Sequence, residues 1–176
     1  IVVISFIIFF KLADTVLNVM TMPFLLEIGF SKLEIANVAK TFGIFTMILG
    51  GVFAGLYLRK NNIYKLLFLC ALLQLIASLL FIFQAYVGNN ISLLFVTMGI
   101  ENITCGMGQV ALVAYFSYLC NKNFTATHFA ILTSLASFIR IQFSAVGGIL
   151  ADNVSWIDFY FIVALSSIPC MLILVY

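Results

Sequence analysis

Apolar residues run in six long stretches separated by short polar breaks, at about 1–26, 33–58, 64–86, 92–119, 126–150 and 156–176. Each reaches the ~20 residues that an α-helix needs to cross the hydrocarbon of a bilayer. The pattern therefore predicts an all-α, polytopic membrane protein, a single domain of six transmembrane helices over 1–176. Two helix starts are spelled out. Ser31-Lys32-Leu33-Glu34 and Ser155-Trp156-Ile157-Asp158 each set a hydroxyl before the first turn and a carboxylate three residues later, which supplies partners for bare backbone amides. Pro23 and Pro169 fall inside spans one and six, where a missing amide can kink a helix.

Composition agrees: 65% of the chain is apolar and 8% charged, against roughly a quarter charged in a soluble domain. The successive long runs lack the small-residue cleavage site of a signal peptide. The chain opens at Ile1 and stops inside an apolar run at Tyr176, as expected of one half of a larger protein whose N-terminal half is missing. Cys70, Cys105, Cys120, Cys170 and the single His128 have no ligand spacing, so neither a metal site, a disulfide framework nor a cofactor is expected. The net charge of +2 is spread over loops and gives no nucleic-acid signal. No G-x-S-x-G, paired membrane aspartates or His-rich cluster argues for an enzyme.

Basic residues near span ends favour the cytoplasm. Arg59, Lys60 and Lys65 follow span two and Lys122 follows span four, while the alternate loops hold Glu27, Lys32 and Glu34, then uncharged Gly88-Asn89-Asn90, then Asp152 and Asp158. Both ends are expected in the cytoplasm. The many Phe residues are expected to face lipid, with Trp156, Tyr160 and Tyr86 as anchors at the membrane interface.

Charge inside the spans follows an order: Lys11 and Asp14 in span one, Lys40 in two, Glu101 in four, Arg140 in five, none in three or six. Two three-helix inverted repeats would give this order if the first two helices of each lined a cavity and the third supported them. Lys11, Asp14 and Asn18 share a helical face with Thr15 beside it, Glu101 shares one with Cys105 and Gly108, and Asn102 and Gln109 form the adjoining one. Ser137, Arg140 and Ser144 make a polar stripe that runs on to Gly148. A common midplane site follows, in which three cations face two carboxylates and an anionic or zwitterionic solute balances the surplus; an Arg fork suits a carboxylate.

Each feature also has a plainer reading. Lys11 and Asp14 can simply neutralise each other, and Lys40 can snorkel outward and leave no surplus. Glu101, with no partner in its own helix, requires one from Lys40, Arg140 or Lys11; it is either a buried salt bridge that fixes packing or a carboxyl that takes up and releases a proton during transport. Gly99, Gly106 and Gly108 strip side chains from span four, and Gly51-x-x-x-Gly55 forms a small-residue packing face.

Several of these residues carry a family resemblance. Gly51 and Gly55 with Arg59, Lys60 and Lys65 look like a worn form of the signature loop of the major facilitator superfamily, without its acidic residue. The runs Phe10-Lys11-Leu12-Ala13-Asp14, Ala39-Lys40-Thr41, Glu101-Asn102 through Gly106-Met107-Gly108, and above all CNKNFTATHFAIL from Cys120 to Leu132 followed by Arg140, resemble the C-terminal half of the AmpG muropeptide permeases. Trp156 and Phe159-Tyr160 continue the likeness, which covers nearly the whole chain. His128, Thr104-Cys105 and Ser144-Ala145 depart from it, the last pair removing a hinge. The resemblance implies proton-driven symport of an anionic glycopeptide, an anhydro-muramyl peptide released from peptidoglycan, across the bacterial inner membrane, together with a complementary six-helix half. The second reading is a non-transporting half-permease that persists as a membrane assembly partner.

Overall fold

The computed structural model describes residues 2–120 and 125–175; Lys122 and the centre of the loop after span four lie outside them. Six helices follow one another: α1 (Val2–Glu27), α2 (Lys32–Leu58), α3 (Ile63–Val87), α4 (Ile91–Leu119), α5 (Thr125–Asn153) and α6 (Trp156–Val175). All six are long and apolar enough to cross a membrane, and no strand is present among the described residues. Pro23 and Pro169 stay inside α1 and α6.

The local chemistry of the ends explains where the helices begin. Ser31 Oγ accepts from the Glu34 amide at 3.2 Å, and the Ser31 amide donates to Glu34 Oε2 at 2.8 Å, a complete capping box. At α6 the Asp158 amide donates to Ser155 Oγ at 3.3 Å, and Ser155 Oγ donates to Asp158 Oδ2 at 2.6 Å. Gly29 and Gly88, at φ of 101° and 76°, turn the chain between α1 and α2 and between α3 and α4, a region that glycine enters without strain. Asn89 Nδ2 donates to the Gly29 carbonyl at 2.9 Å and so ties those two loops together.

One irregularity was not legible in the hydrophobic pattern. Within α2, Ala36–Phe42 winds as a π-helix before the α-helix resumes at Gly43. Such wide turns are rare and concentrate at functional places in proteins.

The helices pack in a pattern that maps onto itself when α1, α2 and α3 exchange with α4, α5 and α6. Thus α2 lies along α4 and α5 along α1, α3 meets α4 and α6 meets α1, and α3 and α6 pack on each other. That is the contact pattern of two three-helix repeats. In a bilayer the tails are as apolar as leucine, so close fit rather than water exclusion holds helices together. The closest fit is between α2 and α4. A Cβ added to Gly50 would collide with the Ile103 carbonyl, and one added to Gly106 would collide with the Met47 carbonyl and lie 3.2 Å from the Gly51 amide. The glycine pair at the contact is therefore Gly50 and Gly106. Gly51 touches Val110 at 3.6 Å, and Gly55, expected in the packing face, meets nothing within 4 Å.

Aromatic rings also correct an expectation. Tyr160 is an anchor in neither membrane interface: it is fully buried, stacked on Phe81 at 4.9 Å and met edge-on by Phe24 at 4.8 Å. Trp156 packs on Phe24 and Phe159 in the same group, and Phe6, Phe24, Phe81 and Phe159 lie in the core rather than against lipid. Such pairs contribute roughly 0.5–1.5 kcal/mol each beyond the area they bury. Tyr86, by contrast, is exposed.

Gly50→Leu and Gly106→Leu are expected to separate α2 from α4, since backbone cannot give way as a side chain can, and to cost about 1–3 kcal/mol or more. Unfolding in detergent should show a lower midpoint for both, whereas Gly55→Leu should leave the midpoint in place.

Candidate functional site

Three helices contribute to one polar cleft of ≈ 130 Å³. Its lining comprises Lys11, Asp14, Thr15, Asn18 and Val19 of α1, Cys105 and Gln109 of α4, and Arg140 of α5. Counting about 1.5 Å per residue from the helix starts, Lys11 sits roughly 14 Å along α1 and Cys105 and Arg140 roughly 20 Å along α4 and α5. The cleft therefore lies at mid-helix depth, where hydrocarbon would surround any side chain not turned inward.

The α1 face is internally organised. Lys11 Nζ lies 3.0 Å from Asp14 Oδ2, and Asn18 Nδ2 donates to the Asp14 carbonyl at 2.9 Å and reaches its Oδ1 at 3.5 Å. The spacing of three and four residues makes these contacts automatic on a helix. This is the ion pair that the sequence pattern foresaw, and here it borders the cleft. On α4, Gln109 Nε2 points to Cys105 Sγ at 3.5 Å.

Arg140 differs. It is exposed and has neither an ion pair nor a hydrogen bond among the described residues. The cleft therefore holds two cations and one carboxylate, with Asp14 already committed to Lys11. One positive charge is left over, carried by a planar fork of five N–H donors and no acceptor. Thr15 Oγ1, also at the cleft wall, is buried without a partner among the described residues.

The other residues singled out from the sequence lie elsewhere. Glu101 does not pair with Lys40, Arg140 or Lys11: it is buried within the bundle, outside the cleft lining, and its Oε1 has no hydrogen-bond partner. The reason is rotation about the α4 axis, which turns the edge bearing Cys105 and Gln109 to the cleft. Asn102 donates from Nδ2 to the Met98 carbonyl at 2.7 Å and lies against Gly43, with that nitrogen 3.1 Å from where a Cβ would stand. It belongs to the α2–α4 contact. Lys40 is exposed on the π-helical turn, away from the cleft, and Arg59 is exposed beyond the end of α2. Gly108 accepts the Phe10 ring, 3.3 Å from its virtual Cβ. On α5, Gly148 reaches the Met20 methyl at 4.0 Å while Gly147 approaches Val16 at 3.5 Å, and Ser137 is satisfied by the Thr133 carbonyl at 2.9 Å.

Comparison with known proteins finds relatives whose names are those of transporters. It is 36% identical over 174 residues to "Putative transporter AmpG 1" of Rickettsia felis, covering 99% of this chain and 40% of that protein. It is 35% identical to the protein of the same name from Rickettsia bellii, covering 99% of this chain and 42% of that one. With "Putative transporter AmpG 4" of Rickettsia felis the identity is 32% over 170 residues, or 97% of this chain and 41% of the relative. The chain thus spans about two-fifths of the length of these relatives. No family model matches it.

Cys105 lines the cleft whereas Cys70 and Cys170 are buried, so Cys105 is the thiol within the bundle that a reagent can reach. In a Cys120→Ser background, a charged thiosulfonate reagent is expected to add once and to fail on the further Cys105→Ser variant. Mass spectrometry of the intact chain reads the count.

Proposed function

We propose that this chain, a member of the AmpG transporter family, forms one wall of the solute path of a membrane permease. In this reading it is the C-terminal six-helix half of a major facilitator fold in the bacterial inner membrane, with both ends in the cytoplasm. Its solute is an anhydro-muramyl peptide carried inward with protons for peptidoglycan recycling. One observation carries the proposal: the mid-depth cleft of α1, α4 and α5 holds an unpaired Arg140 beside a closed Lys11–Asp14 pair. An arginine at that depth is tolerated beside water or an anion, and a carboxylate-bearing glycopeptide offers the anion.

The rest of the lining suits such a solute. Asn18 and Gln109 present amides that both donate and accept, the groups that sugar hydroxyls and peptide bonds engage. Lys11 and Asp14 keep each other in place and leave Arg140 to bind the carboxylate with two parallel bonds. Glu101, buried and without an ionic partner, is the group in the bundle best suited to carry a proton, since a neutral carboxyl is the cheaper form there.

Support for a complementary half comes from the outward faces. Ile44, Phe45, Ile48, Leu49 and Val52 of α2 and Phe138, Ile141, Val146 and Ile149 of α5 are exposed, and α5 buries only Ala136, Ile139 and Gly147. Of these two helices α5 walls the cleft, and α2 is its exchanged counterpart, packed along α4; a second six-helix unit laid across these faces would close the cleft.

Uptake of labelled anhydro-muropeptide into cells that express this chain with a complementary half tests the reading. Removing a charged hydrogen-bonding partner costs ~1.5–3 kcal/mol, so Arg140→Ala should lower uptake roughly 10- to 100-fold at unchanged protein level, with Arg140→Lys recovering part of it. Uptake by Arg140→Ala at the full wild-type rate would refute the anion role. Glu101→Gln should abolish the dependence of uptake on external pH while leaving solute binding intact, and an unchanged pH dependence removes Glu101 from coupling.

A further inference from the structure

A hydroxyl inside an apolar helix is usually hidden by turning it back onto its own backbone. Thr21, Ser78, Thr97 and Thr104 do so, each donating to the carbonyl four residues earlier. On α6, Ser166 donates to the Val163 carbonyl at 2.7 Å. Its neighbour Ser167 does not. That residue is 2% exposed, and its Oγ has no hydrogen-bond partner among the described residues. On α3, Gln74 is 8% exposed, and its side-chain amide has no partner among them either.

The two line one place. A gap of ≈ 10 Å³ lies between α1, α3 and α6, with Gln74 and Ser167 as its polar groups and Phe9, Phe10 and Ala13 of α1 as its apolar third wall. Gln74 follows Ile63, the first residue of α3, by eleven residues, and Ser167 follows Trp156, the first of α6, by the same number. Each therefore stands roughly 16 Å along its helix, at matching places in the two exchanged helices that pack on each other. No charged side chain lines the gap, and it shares no lining residue with the cleft.

We propose that this gap is a binding site for one water molecule, which bridges Ser167 Oγ to the Gln74 amide and so joins α6 to α3 at mid-helix depth. The size fits, since one water needs about 10–15 Å³. The chemistry fits as well. A buried water makes about two to four hydrogen bonds; the hydroxyl both donates and accepts, and the carboxamide offers an oxygen and a pair of N–H donors. Other occupants suit the gap less. A hard cation collects about six oxygens, and the lining side chains supply those of Gln74 and Ser167 alone. An apolar occupant would leave both polar groups unpaired, at the cost that buried donors and acceptors carry. Hydrocarbon can satisfy neither group, so both hold the water in place. Where lipid gives helices no push together, the water adds a polar link to the packing of α3 on α6.

Nuclear magnetic resonance of the full chain in detergent micelles, with its glutamines labelled with nitrogen-15, tests the site. Gln84 is the internal control, buried and already bonded through Nε2 to the Gly88 and Asn90 carbonyls at 2.8 and 3.4 Å. The Gln74 side-chain amide, assigned through bonds in the wild type, should show a cross-peak to water with the sign of a long-lived bound molecule, and Gln84 should not. The peak should persist in Ser167→Ala, which removes the hydroxyl but not the room, and vanish in Ser167→Val, which fills the gap. Unfolding midpoints give a second reading. Ser167→Val and Gln74→Leu should each lower the midpoint by about 2–4 °C or more, and the double variant should recover much of the loss, because no polar group is then left wanting. A wild-type Gln74 amide without a water cross-peak overturns the proposal. So does a peak lost in Ser167→Ala, which marks a direct bond between the two side chains, and so does a midpoint raised by Ser167→Val, which marks a dry gap. The wild-type spectrum gives the readout even if a variant folds poorly.

Discussion

A charge in hydrocarbon must find either a counter-charge or water, and this constraint arranges the bundle. Lys11 and Asp14 meet it locally, three residues apart on one helix, at no demand on the fold. Arg140 cannot, because α5 offers it no acid within a turn, and it is placed where α1 and α4 leave a cleft. Glu101 answers differently again: enclosed and unpaired, it is spared the constraint in its neutral form. The three solutions use three helices, and the cleft is where the first two meet.

The face that α4 turns to the cleft is held from the other side, where α2 and α4 come close. With Gly50 set against the Ile103 carbonyl and Gly106 against that of Met47, backbone touches backbone, and the axis of α4 is fixed against rotation. Rotation decides everything on α4: a modest turn would bring Glu101 to the cleft and send Gln109 into the bundle. The corresponding pair in the exchanged repeat, α5 on α1, is looser, with Gly147 and Gly148 facing the side chains of Val16 and Met20. Side chains can adjust where carbonyls cannot, so the wall that carries Arg140 is the more adaptable one.

What could be read from the residues divides along the same line. The spans and two of their starts were legible, since apolar length and capping hydroxyls act locally. The Lys11, Asp14 and Asn18 face was legible too, because contacts at three and four residues need only a helix. Facing in three dimensions was not. When every side of a helix is apolar, no stripe marks the inward side, so Glu101 and Cys105, four residues apart, looked equally placed. The doublet Gly50-Gly51 posed the same difficulty, and the spacing to Gly55 suggested the wrong member. Tyr160 misled for another reason: a phenol suits a membrane interface as well as a packed core, and its sequence cannot tell which rings will surround it.

The π-helical stretch Ala36–Phe42 gives α2 two pitches in one rod. After Gly43 the ordinary α repeat keeps Gly43 and Gly50, seven residues apart, on the buried stripe, whereas the wider turns before it carry Lys40 to the open side. The element works like a vernier. Its Lys32 end can be set at one angle to the surroundings and its Leu58 end at another, so the entry to α2 is free to vary without disturbing the glycine seam beyond it.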